Sequence, residues 1–218
     1  MSRLTLVGLA LTACLALLVQ AGCLLAPAAN LLNAAGLNMT PARYEGLRDQ
    51  TVAVVVETEA SLFREDPAAN ELSLRLGGTL TEEVKKLKLI RPSKLREYRD
   101  EHGYDPVDLE EFGIEVGADR VVHVRLNNLS LRGGINFFKG STDAIVTVID
   151  PGTGLIEHTE EISGFTFPQN AGIETTSTSE ERFRKLYLSI LAQRIGRLFH
   201  PFDPNDLAAL DSKIASFR

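Results

Sequence analysis

The residues of this chain that could do chemistry are few and widely spaced. His123 and His158 lie in two separate β-type segments, and with Asp143 or Glu160 nearby they could form a metal pair. Histidines without a fixed short spacing are more often surface or pairing residues than metal ligands. The sequence therefore predicts no metal site and no cofactor.

Nucleophile and phosphate-binding motifs are not found either. Ser141 and Ser163 lack the glycine elbow that exposes a catalytic serine. The run Gly152–Gly154 is much shorter than a dinucleotide or phosphate-loop fingerprint. We predict that the protein is not an enzyme, with an exported hydrolase as a third-ranked alternative.

The N-terminal leader carries the strongest signal. Arg3 precedes an uncharged run from Leu4 to Leu25 that ends near the small residues Ala21 and Gly22. A basic start, an apolar stretch and small residues at its end are typical of a secretory signal peptide. The run is also about long enough to span a bilayer, which takes roughly 20 residues, so a retained anchor is the alternative.

Cys23 directly follows this leader. The run Val19–Cys23 resembles the box that ends the signal of bacterial lipoproteins, with Gln20 where Leu is usual. The resemblance implies that Cys23 is lipidated and becomes the mature N-terminus. A second match at Leu11–Cys14 would leave an unusually short signal, and ordinary cleavage after residue 21 also stays open.

Lipidation at Cys23 would attach the chain to a membrane, since two or more acyl chains give stable anchoring. Leu24 stands where some bacteria read an aspartate as an inner-membrane retention signal. We therefore predict a periplasm-facing protein of the bacterial cell envelope, with the outer membrane slightly favoured.

Length and charge limit the remaining possibilities. A chain of 218 residues has room for one ordinary domain beside the leader. The formal net charge is −6 and no basic face is evident, which argues against nucleic acid as a partner.

Hydrophobic periodicity predicts an α/β (α+β) fold. In Thr51–Glu57 both sets of alternating residues, which face opposite sides of a strand, are largely apolar. This is expected for a central strand covered on both faces. Asp66–Pro67 and Asp105–Pro106 are each predicted to begin a helix. The predicted fold is a single mixed β-sheet of about five strands with flanking helices, in the order β-α-β-α-α-β-β-β-α.

The predicted divisions are a signal peptide at 1–22, a lipid-anchored tether at 23–49, the α/β domain at 50–200 and a C-terminal tail at 201–218.

The stretch Gly117–Asp150 predicts a hairpin of two β-branched strands. The apolar residues of the first strand change from one alternating set of positions to the other after Asn127–Asn128, which indicates a bulge. The following run, Leu155–Phe167, has a charged middle that is typical of a protected sheet edge.

Two segments carry a more specific resemblance. Glu110–Val122 and Ile145–Gly154 are similar to passages of the curli-secretion-channel lipoproteins and of the lipoprotein activators of penicillin-binding proteins. The resemblance implies a small α/β domain that acts on other proteins. The loops at 132–141 and 168–178 are too short to cross a bilayer, since a spanning strand needs about 9–11 residues.

The loop between the two hairpin strands is the predicted binding surface. It carries Ile135, Phe137, Phe138 and Lys139. Exposed aromatic residues beside a cation can contact a partner protein or lipid headgroups. The alternative is a tip that folds back on its own sheet.

These observations favour a non-catalytic, membrane-anchored lipoprotein whose domain binds another cell-envelope protein. The alternative is an oligomeric subunit of an envelope secretion or transport assembly, joined through the sheet edge at 155–165.

Metabolic labelling with a fatty-acid analogue tests the anchor. We expect wild-type protein to be labelled and Cys23→Ser to lose the label, because the thiol is the acceptor. Cys14→Ser should keep it. Absence of label on the wild type, or label retained in Cys23→Ser, would contradict the assignment.

Overall fold

A mixed β-sheet is the frame of the domain in the computed structural model, which describes residues 39–62, 64–104 and 106–204. In chain order its strands are β1 (Thr51–Glu57), β2 (Lys88–Leu89), β3 (Arg120–Arg132), β4 (Phe137–Asp150), β5 (Leu155–Phe167) and β6 (Ile173–Glu174). The spatial order is β2-β1-β3-β4-β5, and β6 pairs with β4. β1 is parallel to β2 and β3, whereas β3, β4 and β5 are antiparallel.

The helices are α1 (Pro67–Glu83), α2 (Ser93–His102), α3 (Leu109–Glu115) and α4 (Glu180–Gly196), and a 3₁₀ turn spans Ala60–Leu62. The predicted fold class and element order are confirmed, with the two-residue strand β6 as an addition before α4. β1 lies inside the sheet and β5 at its edge, as the patterns of the two segments indicated. Among the described residues, no helix combines the length and apolar character needed to cross a membrane.

The sheet is covered on two faces by different helices. On one face Val54, Val122 and Val146 pack with residues of α1 and α4 in the larger core. On the other face Val55 and Val121 pack under α2 and α3 in a smaller core. This arrangement explains why β1 is apolar at every position from Val52 to Val56.

The described part of the domain begins earlier than its predicted start at residue 50. The compact unit begins at Pro41. Leu47 is fully buried in the larger core, and the backbone N–H groups of Arg43 and Tyr44 both donate to the Leu198 carbonyl at 2.9 Å. Residues 43–47, which lie in the segment predicted as the tether, therefore contact the domain.

Helix starts follow from capping, with one correction. Asp66 caps α1 by accepting from the Ala68 N–H at 3.0 Å, as predicted. The predicted start at Asp105–Pro106 is wrong, because Asp108 caps the helix and accepts from the Glu110 and Glu111 N–H groups. The Val107 N–H donates instead to Glu57 Oε1 at 3.2 Å, which keeps this segment outside the helix.

The predicted bulge in β3 is confirmed. The β3–β4 register shifts between Asn127 and Ser130, and Asn128 has a φ of 55°. Beyond the bulge the strands continue further than expected. β3 reaches Arg132 and β4 begins at Phe137, so the hairpin turn is limited to residues 133–136.

Gly140 in β4 provides a test of the larger core. A Cβ there would lie 2.1 Å from Cδ2 of Tyr187, which is fully buried and donates its hydroxyl to the Phe165 carbonyl at 3.1 Å. We expect Gly140→Ala to lower the free energy of unfolding by about 1–3 kcal/mol through overpacking. Urea unfolding measures the change.

Gly78→Ala is the matched control, because a Cβ at Gly78 would meet nothing within 4 Å. This substitution should raise the stability by up to about 1 kcal/mol through helix propensity. Equal effects of the two substitutions would contradict the close packing of Tyr187 on β4.

Candidate functional site

The hairpin tip presents apolar side chains to solvent. Ile135 is 90% exposed in the turn, and Phe137, the first residue of β4, is 38% exposed. Isolated exposed apolar residues are common, but two beside a concave surface are typical of a binding site. The tip is therefore the first candidate surface.

Phe137 is held in place by closely packed glycines. A Cβ on Gly172 would lie 2.3 Å from Phe137 Cδ2, and Cβ atoms on Gly133 and Gly134 would also collide with the ring. Only glycine backbone permits such an approach. The ring is thus fixed with one side on the protein and part of its surface exposed.

A groove of about 680 Å³ runs beside this ring. Its lining comes from the tip and from the segment that pairs with it, and consists of Asn136, Phe137, Lys139, Asn170, Ala171, Gly172, Glu174, Thr175 and Thr176. β6 forms one wall by pairing Glu174 with Phe137. The Thr175 N–H donates to the Asn136 carbonyl at 3.0 Å, which closes the segment onto the turn.

Phe138 corrects the predicted set. It is only 3% exposed, and its ring stacks on Phe183 of α4 with a centroid distance of 5.3 Å. The Arg132 guanidinium lies 5.2 Å from the centroid of the same ring. Because successive strand residues point to opposite faces, Phe138 enters the core where Phe137 cannot.

Lys139 lies at the base of the tip and is half-buried. Its Nζ donates to the Gln169 carbonyl at 3.3 Å. The ammonium is therefore placed at the groove, and its contact with a partner stays a prediction, as it does for Ile135 and Phe137. Cys23 lies outside the described residues.

The two histidines considered as a metal pair lie on opposite faces of the sheet. His158 is opposite Val148 and so faces the larger core, where it stacks on Tyr44 at 5.4 Å between ring centroids. His123 is beside Val55 and faces the smaller core. Within residues 39–62, 64–104 and 106–204, no group of three or more His, Cys, Asp or Glu side chains could hold a metal ion.

His123 belongs instead to a buried ionic cluster with Glu57 and Arg99. His123 Nε2 lies 2.7 Å from Glu57 Oε2, and because an ionised carboxylate only accepts, the imidazole donates. Arg99 Nη2 lies 3.7 Å from Glu57 Oε1. All three residues are more than nine-tenths buried.

The surroundings of Glu57 keep its carboxyl ionised. Burial by itself raises the pKa of Glu57, but the hydrogen bonds from His123 and the Val107 N–H, together with nearby positive charge, lower it overall. A charged group at this depth is stable only when it is paired and hydrogen-bonded.

Sequence reasoning missed this cluster. The available signal was the position of Glu57 at the end of an apolar strand, because a carboxylate at such a position needs a partner. The partners come from β3 and α2, however, far away along the chain. Arg99 also follows the buried Tyr98 within a strongly charged helix, and nothing in that local pattern marks it as buried.

Comparisons with known proteins give fold neighbours only. No family model matches the chain, and no curated protein matches its sequence. Solved structures give three neighbours of note. PelC, as a dodecamer from Paraburkholderia phytofirmans, is 15% identical with a TM-score of 0.42, over 73% of this chain and 91% of that one.

Lipoprotein GNA1162 from Neisseria meningitidis is 12% identical with a TM-score of 0.43, over 66% of this chain and 97% of that one. The C-terminal domain of LpoB from Salmonella enterica is 17% identical with a TM-score of 0.36, over 56% of this chain and 84% of that one. A resemblance to bacterial envelope lipoproteins is expected from the sequence; one of these three neighbours is itself named a lipoprotein, and all three TM-scores are below 0.5.

The pH dependence of stability tests the ionic cluster. Glu57→Gln should lower the free energy of unfolding by about 3 kcal/mol at neutral pH, because it leaves the buried guanidinium of Arg99 without its counter-charge. The folded-state pKa of Glu57 is lowered, so the carboxylate stabilises fully above its unfolded pKa of about 4.3 and loses this contribution as the pH falls through the folded value. Urea unfolding across the acidic range should show the two proteins converging at low pH.

Glu45→Gln is the control, since Glu45 forms an exposed pair with Arg48 at 3.5 Å and should change stability little at any pH. A difference between wild type and Glu57→Gln that stays constant with pH would mean that the charge of Glu57 is not the stabilising feature.

Proposed function

We propose that this protein is a non-catalytic lipoprotein of the bacterial cell envelope, anchored by lipid on Cys23, whose domain binds another envelope protein through the hairpin tip. Supporting the anchor are the apolar leader and the small-residue box before the cysteine. Leu24 after the cysteine favours the outer membrane.

The observation that carries the binding role is the exposed pair of Ile135 and Phe137 beside the groove. A fixed aromatic ring with exposed apolar neighbours loses little conformational entropy on binding, and aromatic residues are enriched at the centres of protein interfaces. The groove adds backbone and hydroxyl groups around this apolar centre. Such a surface suits a protein segment.

The second candidate is an oligomeric subunit of a secretion or transport assembly. β5 is the last strand of the sheet on one side, and Leu155 and Ile156 at its start are each more than 60% exposed. Glu157, Glu160 and Glu161 follow directly along the same strand. Two copies paired along this edge would bring these carboxylates together, so self-association ranks below binding of a different protein.

Crosslinking in intact cells tests the binding surface. A photoreactive residue at position 135 should capture one envelope protein, whereas the same residue at position 114, where Ile114 is 65% exposed on α3, should not. With the captured protein purified, Ile135→Asp should weaken binding at least tenfold, or about 1.4 kcal/mol, because it places a charge in the apolar centre. Ile114→Asp should bind as the wild type does.

Neither substitution should change the unfolding midpoint, since both side chains are exposed. Identical adducts from positions 135 and 114 would contradict the proposal. Lipid adducts alone at position 135 would instead indicate that the tip contacts the membrane.

A further inference from the structure

The strand β6 has an outer edge that lies on the groove at the hairpin tip. β6 pairs with β4 through Ile173 and Glu174, and the Thr175 N–H donates to the Asn136 carbonyl at 3.0 Å. Successive residues of a strand direct their backbone groups to opposite sides. Because Thr175 is directed toward the hairpin, the backbone groups of Glu174 are directed away from it. Glu174 is exposed and lines the groove.

One backbone donor is available at this edge. The Glu174 carbonyl accepts from the Ser177 N–H at 3.0 Å, which fits its outward direction. The Glu174 N–H lies on the same side and has no acceptor among the described residues. An extended polypeptide can accept from an outward N–H of this kind, which is how a segment of a partner adds to a free sheet edge.

The ring of Phe137 reaches the same edge from β4. A Cβ on Gly172 would lie 2.3 Å from Phe137 Cδ2, so the ring occupies the space above residue 172. Diagonal contacts of this kind bring an aromatic side chain of one strand across the next strand. A strand added beside β6 would therefore place a side chain against the exposed part of the ring.

Lys139 places a positive charge beyond the ring. It lies two residues after Phe137 on β4 and so on the same face of the sheet. Its Nζ donates to the Gln169 carbonyl at 3.3 Å, and Lys139 has no carboxylate partner within the described part of the chain. Glu174 is opposite Phe137 in the strand register. The order along the edge is therefore carboxylate, aromatic ring and ammonium.

We propose that the partner segment binds as an extended strand along the outer edge of β6, with an apolar side chain on Phe137 and an acidic side chain two residues away at Lys139. Side chains two residues apart lie on one face of a strand, about 7 Å from each other, which is also the spacing of Phe137 and Lys139 along β4. An acid at the opposite end of the segment would meet Glu174. This inference rests on the function proposed above and names the chemistry of the partner at the same surface.

Selection of random heptapeptides displayed on phage against the purified protein tests the side-chain pattern. Enriched peptides should carry an aliphatic or aromatic residue with Asp or Glu two positions away. Selection against Lys139→Gln should keep the apolar residue and lose the acid, because the ammonium is removed. Enrichment of no sequence, or of sequences without the acid, would overturn the proposal.

N-methylation of an enriched peptide tests the strand conformation. In an added strand only every second N–H faces the neighbouring strand. Methylation of each peptide nitrogen in turn should therefore weaken binding at least tenfold at alternating positions, measured by fluorescence anisotropy of the fluorescein-labelled peptide. A series of affinities without this alternation would contradict an added strand.

Two substitutions at Glu174 test the backbone donor on the protein. Glu174→Pro and Glu174→Ala both remove the carboxylate, but only Pro removes the N–H. Pro is tolerated in an edge strand where its nitrogen faces outward, so the two variants should have similar urea midpoints. Glu174→Pro should bind the enriched peptide at least tenfold more weakly than Glu174→Ala, and equal affinities would overturn the proposal. The methylation series decides the question if Glu174→Pro does not fold.

Failure of this inference can be separated from failure of the proposed function. Equal affinities of the two Glu174 variants for a protein captured from position 135, with binding still weakened by Ile135→Asp, would reject the added strand alone. Capture of no protein from position 135 would reject the proposed function itself. Sedimentation of the purified protein as a dimer that Glu174→Pro dissociates would assign the edge to a second copy and overturn the proposal of a different partner.

Discussion

The buried carboxylate of Glu57 is the constraint on which this domain depends. It ends β1 and is contacted by β3 through His123, by α2 through Arg99 and by the segment before α3 through the Val107 N–H. A buried carboxylate without such partners would be strongly destabilising. The four elements must therefore assemble together around one charge.

This constraint matters most on the face where apolar packing is weakest. The larger core under α1 and α4 is an extensive apolar cluster, whereas the core under α2 and α3 consists of a few residues around Val55, Tyr98 and Phe112. Apolar contacts tolerate sliding, but hydrogen bonds to a carboxylate have defined distances and directions. On this face we infer that the ionic cluster fixes the position of the helices.

The features that could be predicted from the sequence depend on neighbouring residues, and the others depend on residues far away along the chain. The apolar run of β1, the Asp66 cap and the reversed phase at Asn127–Asn128 each depend on neighbouring residues, and each was confirmed. The start of α3 could not be predicted, because the Val107 N–H is taken by Glu57, which is distant in sequence.

The hairpin tip shows the same limit. Its position between β3 and β4 follows from the sequence, but the burial of Phe138 depends on Phe183 in a helix that comes much later in the chain. The burial of Arg99 was equally unpredictable, because its partner Glu57 lies in a strand that is distant along the chain. The parts of a site that depend on distant residues require coordinates.

Tyr44, in the segment before β1, contacts one end of the sheet. Tyr44 bonds to Glu157 and stacks on His158, while Glu157 also receives Arg120, the first residue of β3. Tyr44 therefore lies at the pole of the sheet where β3 begins, and the hairpin turn lies at the pole where β3 ends. The thirteen residues of β3 separate these poles by about 40 Å at the rise of a strand. The sheet therefore holds the exposed ring of Phe137 at a fixed distance from Tyr44.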